Sequence, residues 1–186
     1  MSPDETGCVT PLRVQYGLMK ADQLRQMQAP LKERYRTSPA SARTPLAAHG
    51  DFESEDITAT VHSWAGPVRA GLHRATGGSG QDACSADMLV EAVLACAGVT
   101  LRSVATALGI EIRTAALSAD GVFDARGTLG VDRSAPVGVT DLVVTIELET
   151  DASEEMLHKL GSLTERYCVV GQSLKQPPQF VVRRTG

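Results

Sequence analysis

The sequence predicts an α+β protein whose strands surround one long buried helix. Three observations carry this. Residues 86–108 (ADMLVEAVLACAGVTLRSVATAL) are apolar on nearly every face and stop at Gly109, the pattern of a buried helix with a glycine terminator. Residues 142–149 alternate, with Val144, Ile146 and Leu148 on one face and Thr145, Glu147 and Glu149 on the other, the period of a half-buried strand. The order of elements is arm, strands, helix, strands, helix, strand, which departs from strict βαβ alternation.

Taken in order, residues 20–36 are rich in Leu, Met, Gln, Lys and Arg and read as helix, with a break expected at Pro30. SPASARTP over 38–45 reads as a turn. These segments form an N-terminal helical arm over 1–44, ahead of a domain over 45–186. In ITATVHS, Ile57, Ala59 and Val61 alternate with Thr58, Thr60 and His62 as in a strand, and PVRAGLH over 67–73 is its hairpin partner. ATGGSGQDA is a glycine-rich connection that needs unusual φ values; it has neither a GKS/GKT nor a GxGxxG pattern. Ser85 is the expected N-cap of the long helix, with Asp87 in its first turn. Gly98 within it is expected to mark a close helix–helix approach. Strands follow over 110–124, 127–131 and 142–149. A second helix starts near 151–153, with Met156, Leu160, Leu163 and Tyr167 as its apolar stripe and Gly171 as its end or bend. Phe180, Val181 and Val182 make a last short strand.

A chain of 186 residues is of one-domain size, and it buries about 70% of its unfolded surface without a staple. Residues 1–50 carry seven Lys/Arg and four Asp/Glu, and 51–186 carry eleven and eighteen, so the net charges are +3 and −7. A basic arm this weak, without interleaved aromatics, does not suit nucleic acid. The N-terminus lacks a signal-like apolar core, and no apolar run is expected to approach 18 residues, so neither export nor a membrane span is expected. The expected location is cytoplasmic, where thiols stay reduced unless they work.

Cysteines stand at 8, 84, 96 and 168, with no CxxC and no zinc spacing. A cysteine on an apolar helix is ordinarily a small buried hydrophobe. Thr100, one turn beyond Cys96, adds a hydroxyl near that sulfur. Mid-helix Cys96 gains nothing from its own helix N-terminus, so a thiolate there calls for a cation, most simply an Arg held by a carboxylate. Cys168, near a helix C-terminus, is a poor first attacker and a better resolving thiol. Asp87 is a candidate carboxylate, although nine residues of straight helix put it about 13 Å from Cys96 on the opposite side; it would act through a bridging Arg or from a partner chain. Glu91 reads as an exposed helix edge.

ACSADMLVEAVLACAGVTLRSVATALGI followed by ERYCVVGQSL resembles the OsmC/Ohr family of organic hydroperoxide reductases over roughly residues 45–183. The resemblance implies antiparallel sheets with a long buried central helix, built as an intertwined homodimer. It implies that Cys96 is peroxidatic and Cys168 resolving, that the substrate is an organic, often lipid-derived, hydroperoxide, and that a dithiol such as a dihydrolipoyl group is the reductant. No metal, haem or flavin is implied. The family's Pro-Glu pair before the peroxidatic cysteine is replaced here by Ser85-Ala86-Asp87. Its activating Arg is sought among Arg34, Arg36, Arg69 and Arg74, with Arg36 first because the arm can reach across a dimer. The alternative is a non-catalytic ligand-binding or redox-sensing protein on the same scaffold, in which Cys8 or Cys84 enters another disulfide.

Overall fold

The long helix over Ser85–Leu108 divides the strands into two sheets, four before it and three after it. The computed structural model describes residues 19–52, 56–63 and 65–185; Cys8 lies outside them. In chain order the elements are α1 (Ala21–Thr37), β1 (His49–Asp51), β2 (Thr58–Ser63), β3 (Gly66–Gly71), β4 (Ala83–Cys84), α2 (Ser85–Leu108), β5 (Thr114–Val122), α3 (Ala125–Thr128), β6 (Thr140–Glu149), α4 (Glu154–Tyr167), α5 (Val169–Gln172) and β7 (Gln179–Arg184). The first sheet has the order β1-β2-β3-β4 and the second β5-β6-β7. Long helix and mixed α+β layout agree with the expectation.

Strand direction is mixed. β1-β2, β2-β3 and β5-β6 are antiparallel, whereas β3-β4 and β6-β7 are parallel. Parallel neighbours need a crossover. For β6 and β7 that crossover is α4 with α5, so the second cysteine lies inside the connection between two paired strands.

The core forms where α2 and α4 meet the second sheet. Val93, Ala97, Leu101 and Ala105 are buried at four-residue spacing along α2, and Leu142, Val144, Ile146 and Leu148 are buried along central strand β6. Alternation in β6 thus puts one whole side-chain row under the helices. Gly98 faces strand β5 rather than a helix: a Cβ there would stand 3.6 Å from Leu117 Cδ2. The close helix approach is at Gly161 of α4, where a Cβ would stand 2.9 Å from Val182 Cγ2 of β7. α2 ends at Gly109 with φ 70, the left-handed terminator its sequence suggested. It has 24 residues and an 18-residue stretch of mean hydropathy 1.7, long and apolar enough to cross a membrane by length and composition. This differs from the expectation that no such run exists: Glu91 and Arg102 interrupt the letters but stand at exposed positions of the helix.

Other departures have local causes. α1 runs through Pro30 without a break. All the residues around it are solvent-exposed, apart from half-buried Gln28, so water can take the carbonyl that the missing N–H leaves free. Residues 127–131 form no strand. Asp124 caps a short helix instead, accepting from Arg126 N at 2.9 Å and binding its guanidinium at 2.6 Å. In α4 the buried side is Leu157, Leu160, Gly161 and Thr164, one step round from the stripe expected, and Tyr167 is exposed. The chain leaves α4 at Cys168 rather than Gly171.

Candidate active site

Two helices place the two thiols together. Cys96 lies in the middle of α2, half-buried, beside buried Ala97 and one turn from buried Val93. Ser153 caps α4 by accepting from Met156 N at 3.3 Å. The buried side of α4 then continues through Leu160 and Thr164 to Cys168, which is fully buried. There the backbone turns out of the helix (φ −71, ψ 96) while Cys168 N still donates to Thr164 O at 3.0 Å. The chain re-enters helix at once as α5. Gly171 allows this reversal to close: a Cβ there would stand 3.3 Å from Cys168 Sγ and from the Pro178 ring.

The reversal aims backbone donors at Cys96. The first N–H groups of a helix have no partner inside it. Those of Val170 and Val169 donate to the Cys96 sulfur, together with the Cys168 thiol and the Thr100 hydroxyl. Burial opposes ionisation of Cys96 and is the largest single influence. The donors, led by Val170 N–H and followed by the Cys168 thiol, Thr100 hydroxyl and Val169 N–H, outweigh it and hold the Cys96 thiol below its ordinary value. For Cys168, burial comes first and pushes the thiol up. Gly171 and Val170 N–H pull the other way, while bonding to Cys96 and its developing charge push further up. The pair is therefore unequal: Cys96 is the better thiolate and Cys168 holds its proton. Both are free thiols in this structure.

Sequence reasoning sought a cation for Cys96 because it considered only the cysteine's own helix. It missed Val169 and Val170, whose contribution is backbone and leaves no side-chain signature. The usable signal was a helix ending at a cysteine and restarting immediately as Val169-Val170-Gly171.

The other candidates stand apart from the dithiol within one chain. Asp87 is exposed in the first turn of α2, and Glu91 is exposed on the same helix. Arg36 is bonded to Glu33 at 3.0 Å in α1. The Arg34 guanidinium sits over the Tyr35 ring. Arg69 bridges Asp82 at 3.0 Å and Asp56 at 3.4 Å, and Arg74 is exposed beside Gly80. Cys84 is the residue ahead of α2 and lines an apolar cavity of about 370 Å³ with Leu72, His73, Leu89, Phe123 and Val139. His73 closes one wall by an edge-to-face contact with Phe123, centroids 5.1 Å apart. Among the described residues no group of three or more His, Cys, Asp or Glu is placed to hold a metal.

Fold and thiol pair together define a two-sheet α+β protein with a dithiol between its two principal helices. Residues 78–183, more than half of the chain, match the family model described as OsmC-like protein, and the chain belongs to the OsmC/Ohr family. Solved structures agree. The OsmC-like protein of unknown function from Vibrio cholerae superposes with a TM-score of 0.61 at 12% identity, covering 77% of this chain and 100% of that one. An OsmC-like protein from Mycoplasma pneumoniae gives 0.59 at 16% identity, covering 76% and 96%. An organic hydroperoxide resistance protein from Elizabethkingia anophelis gives 0.60 at 12% identity, covering 77% and 99%. Identities this low establish the shared fold. Among curated proteins nothing matches the chain.

Proposed function

We propose that the chain is a thiol-dependent peroxidase that reduces organic hydroperoxides in the cytoplasm, using Cys96 as attacker and Cys168 as resolver. The observation that carries this reading is the unequal, hydrogen-bonded dithiol. In the first step the Cys96 thiolate attacks the terminal oxygen of ROOH. The O–O bond breaks, an S–O bond forms, and the alkoxide leaves with a proton as ROH. Cys168 then attacks the sulfenic sulfur, expelling water and forming the Cys96–Cys168 disulfide. An external dithiol, such as a dihydrolipoyl group, restores both thiols by exchange.

The proposal includes a homodimer. The chain exposes 14103 Å², against about 8,600 Å² for a compact monomer of 19.7 kDa. Even with the residues outside the described segments counted at an extended-chain maximum of about 3,700 Å², about 1,800 Å² of excess remains. Val99 on α2 and Val169 on α5, both close to the dithiol in sequence, are 74% and 66% exposed. A second copy would cover them. Arg36 enters this reading through the dimer, reaching the partner's dithiol from the exposed arm, with Asp87 at the start of α2 to receive it.

Purified protein with cumene hydroperoxide and dihydrolipoamide should release cumyl alcohol, and Cys96→Ser should abolish turnover. Unchanged turnover in Cys96→Ser would remove Cys96 from the mechanism. The apolar cavity at Cys84 favours one second reading, a ligand-binding or redox-sensing protein on this scaffold. In that case the reduced wild-type protein would bind apolar ligands without producing alcohol.

A further inference from the structure

The two thiols raise a difficulty that the proposed function leaves open. Sulfenic acid is resolved by a thiolate, and a protonated thiol is a poor nucleophile. Cys168 is fully buried, so solvent base does not reach it easily. Something must remove its proton at the right moment. The first step has the converse need: an alkoxide leaving group must gain a proton, and the site must hold a donor for it.

The geometry points to one answer for both. We infer that Cys168 is the general acid of the first step as well as the resolving thiol of the second: it gives up its proton as the O–O bond breaks and is thereby left as the thiolate that closes the disulfide. The inference rests on the peroxidase reading above. Cys168 belongs to the buried core against which Cys96 packs, and its side chain is a hydrogen-bonding partner of the Cys96 sulfur, which puts its proton within reach of the oxygen that this sulfur attacks. As the S–O bond forms, the attacked hydroxyl passes its own proton to the departing oxygen and receives that of Cys168. The products are Cys96–SOH, ROH and the Cys168 thiolate. The thiolate then displaces hydroxide from the sulfenic sulfur, and the hydroxide takes a proton from solvent to leave as water. Atoms and charge balance across the two steps, and no further reactant is required.

Three observations favour Cys168 over other donors. Thr100 also bonds to Cys96, but an alcohol is a far weaker acid than a thiol and no better than the ROH being formed. Asp87 and Glu91 stand at exposed positions of α2. The Val169 and Val170 N–H groups stabilise charge but do not give up protons. Burial, which holds Cys168 protonated in the resting state, preserves the acid until the attack generates a base strong enough to take its proton.

The test is a single-turnover reaction of prereduced protein in which alcohol or acid release is timed by rapid quench. Three oxidants are compared: tert-butyl hydroperoxide, cumene hydroperoxide and peracetic acid, whose acetate leaving group needs no proton. In wild type, the two alkyl hydroperoxides should show a solvent deuterium isotope effect clearly above one. Cys168→Ala should slow them on the order of 100-fold while changing the peracetic acid rate only a few-fold. Cys168→Ser, nearly isosteric, should also be slow with the alkyl hydroperoxides and normal with the peracid. An equal loss for all three oxidants would make Cys168 a packing residue and overturn the inference. So would an unchanged alkyl hydroperoxide rate in both variants, or a wild-type isotope effect of one, which needs no variant to fold. Failure of the peroxidase reading itself looks different: wild type would release no alcohol from either alkyl hydroperoxide.

Discussion

Thr100→Val separates the hydroxyl donor at Cys96 from everything else that holds the site. Both side chains are β-branched and of similar shape, so α2 should keep its geometry. The substitution removes one of four donors that together hold the Cys96 thiol below its ordinary value. A hydrogen bond to a charged group is worth about 1.5–3 kcal/mol. Cys96 is only half-buried, and the Val170, Val169 and Cys168 donors remain, so the lower end applies. About 1.4 kcal/mol is a tenfold change in the thiolate population at neutral pH. The sign follows from which form is bonded: the hydroxyl stabilises the thiolate, so its loss raises the pH at which Cys96 ionises. Iodoacetamide alkylation of Cys96, followed by mass spectrometry across pH, reads this directly. The rate at neutral pH should drop about tenfold, the alkaline plateau should not move, and Thr100→Ser should restore the wild-type curve. A variant whose curve overlays wild type would show that Thr100 contributes nothing to the thiolate, and the donor account of Cys96 would then have to rest on α5 and the Cys168 thiol.

Peroxidase activity should rise with pH and level off below the ordinary thiol value of about 8.5, because Cys96 must be ionised; a midpoint above that value would contradict the donor arrangement. Stability should respond to the partner thiol in the opposite sense. Cys168 is raised in the folded state, so its contribution is present below the unfolded thiol value and is lost as pH rises past it. Thermal unfolding of reduced Cys168→Ala should therefore lose less stability than wild type on the alkaline side, and a parallel decline would refute this. Gly161→Ala should cost about 1 kcal/mol net by urea unfolding, since overpacking against stiff Val182 (about 1–3 kcal/mol) outweighs the roughly 1 kcal/mol gained in helix propensity. Adding Val182→Ala should recover the overpacking part. On the proposed dimer reading, Arg36→Ala should lower turnover while leaving the thermal midpoint unchanged, and a full-rate variant would remove the arm from the site.

The elements that periodicity governs were legible in the sequence. α2 ends at Gly109 as read, and the buried row of β6 is the one its alternation named. Both depend on contacts repeated many times along one element. Features decided by a single contact were not legible. Pro30 breaks a helix only where its free carbonyl lacks water, and nothing local says that it has water. A strand and an Asp124-capped turn compete for the same residues after β5. Gly98 and Gly161 look alike in the sequence, but only the second meets a neighbouring side chain closely. At the site, the residues alone suggested only that Cys168 would ionise less readily, as the structure has it; the pairing with Cys96 came from the family resemblance. The means by which Cys96 is made acidic was hidden, because it comes from main-chain N–H groups that any residues at 169 and 170 other than proline would supply.

Parallel pairing of β6 with β7 has a consequence for the order of events at the ribosome. α4, Cys168 and α5 form the crossover between these strands, and β7 follows them in the sequence. A nascent chain that has made α2 and β6 cannot yet seat that crossover, because the strand that anchors its far end is still in the exit tunnel. Cys96 therefore leaves the ribosome without its donors and without its partner thiol. The reactive pair is assembled only once β7 has emerged, and a chain truncated before β7 should carry an ordinary, slow cysteine at position 96.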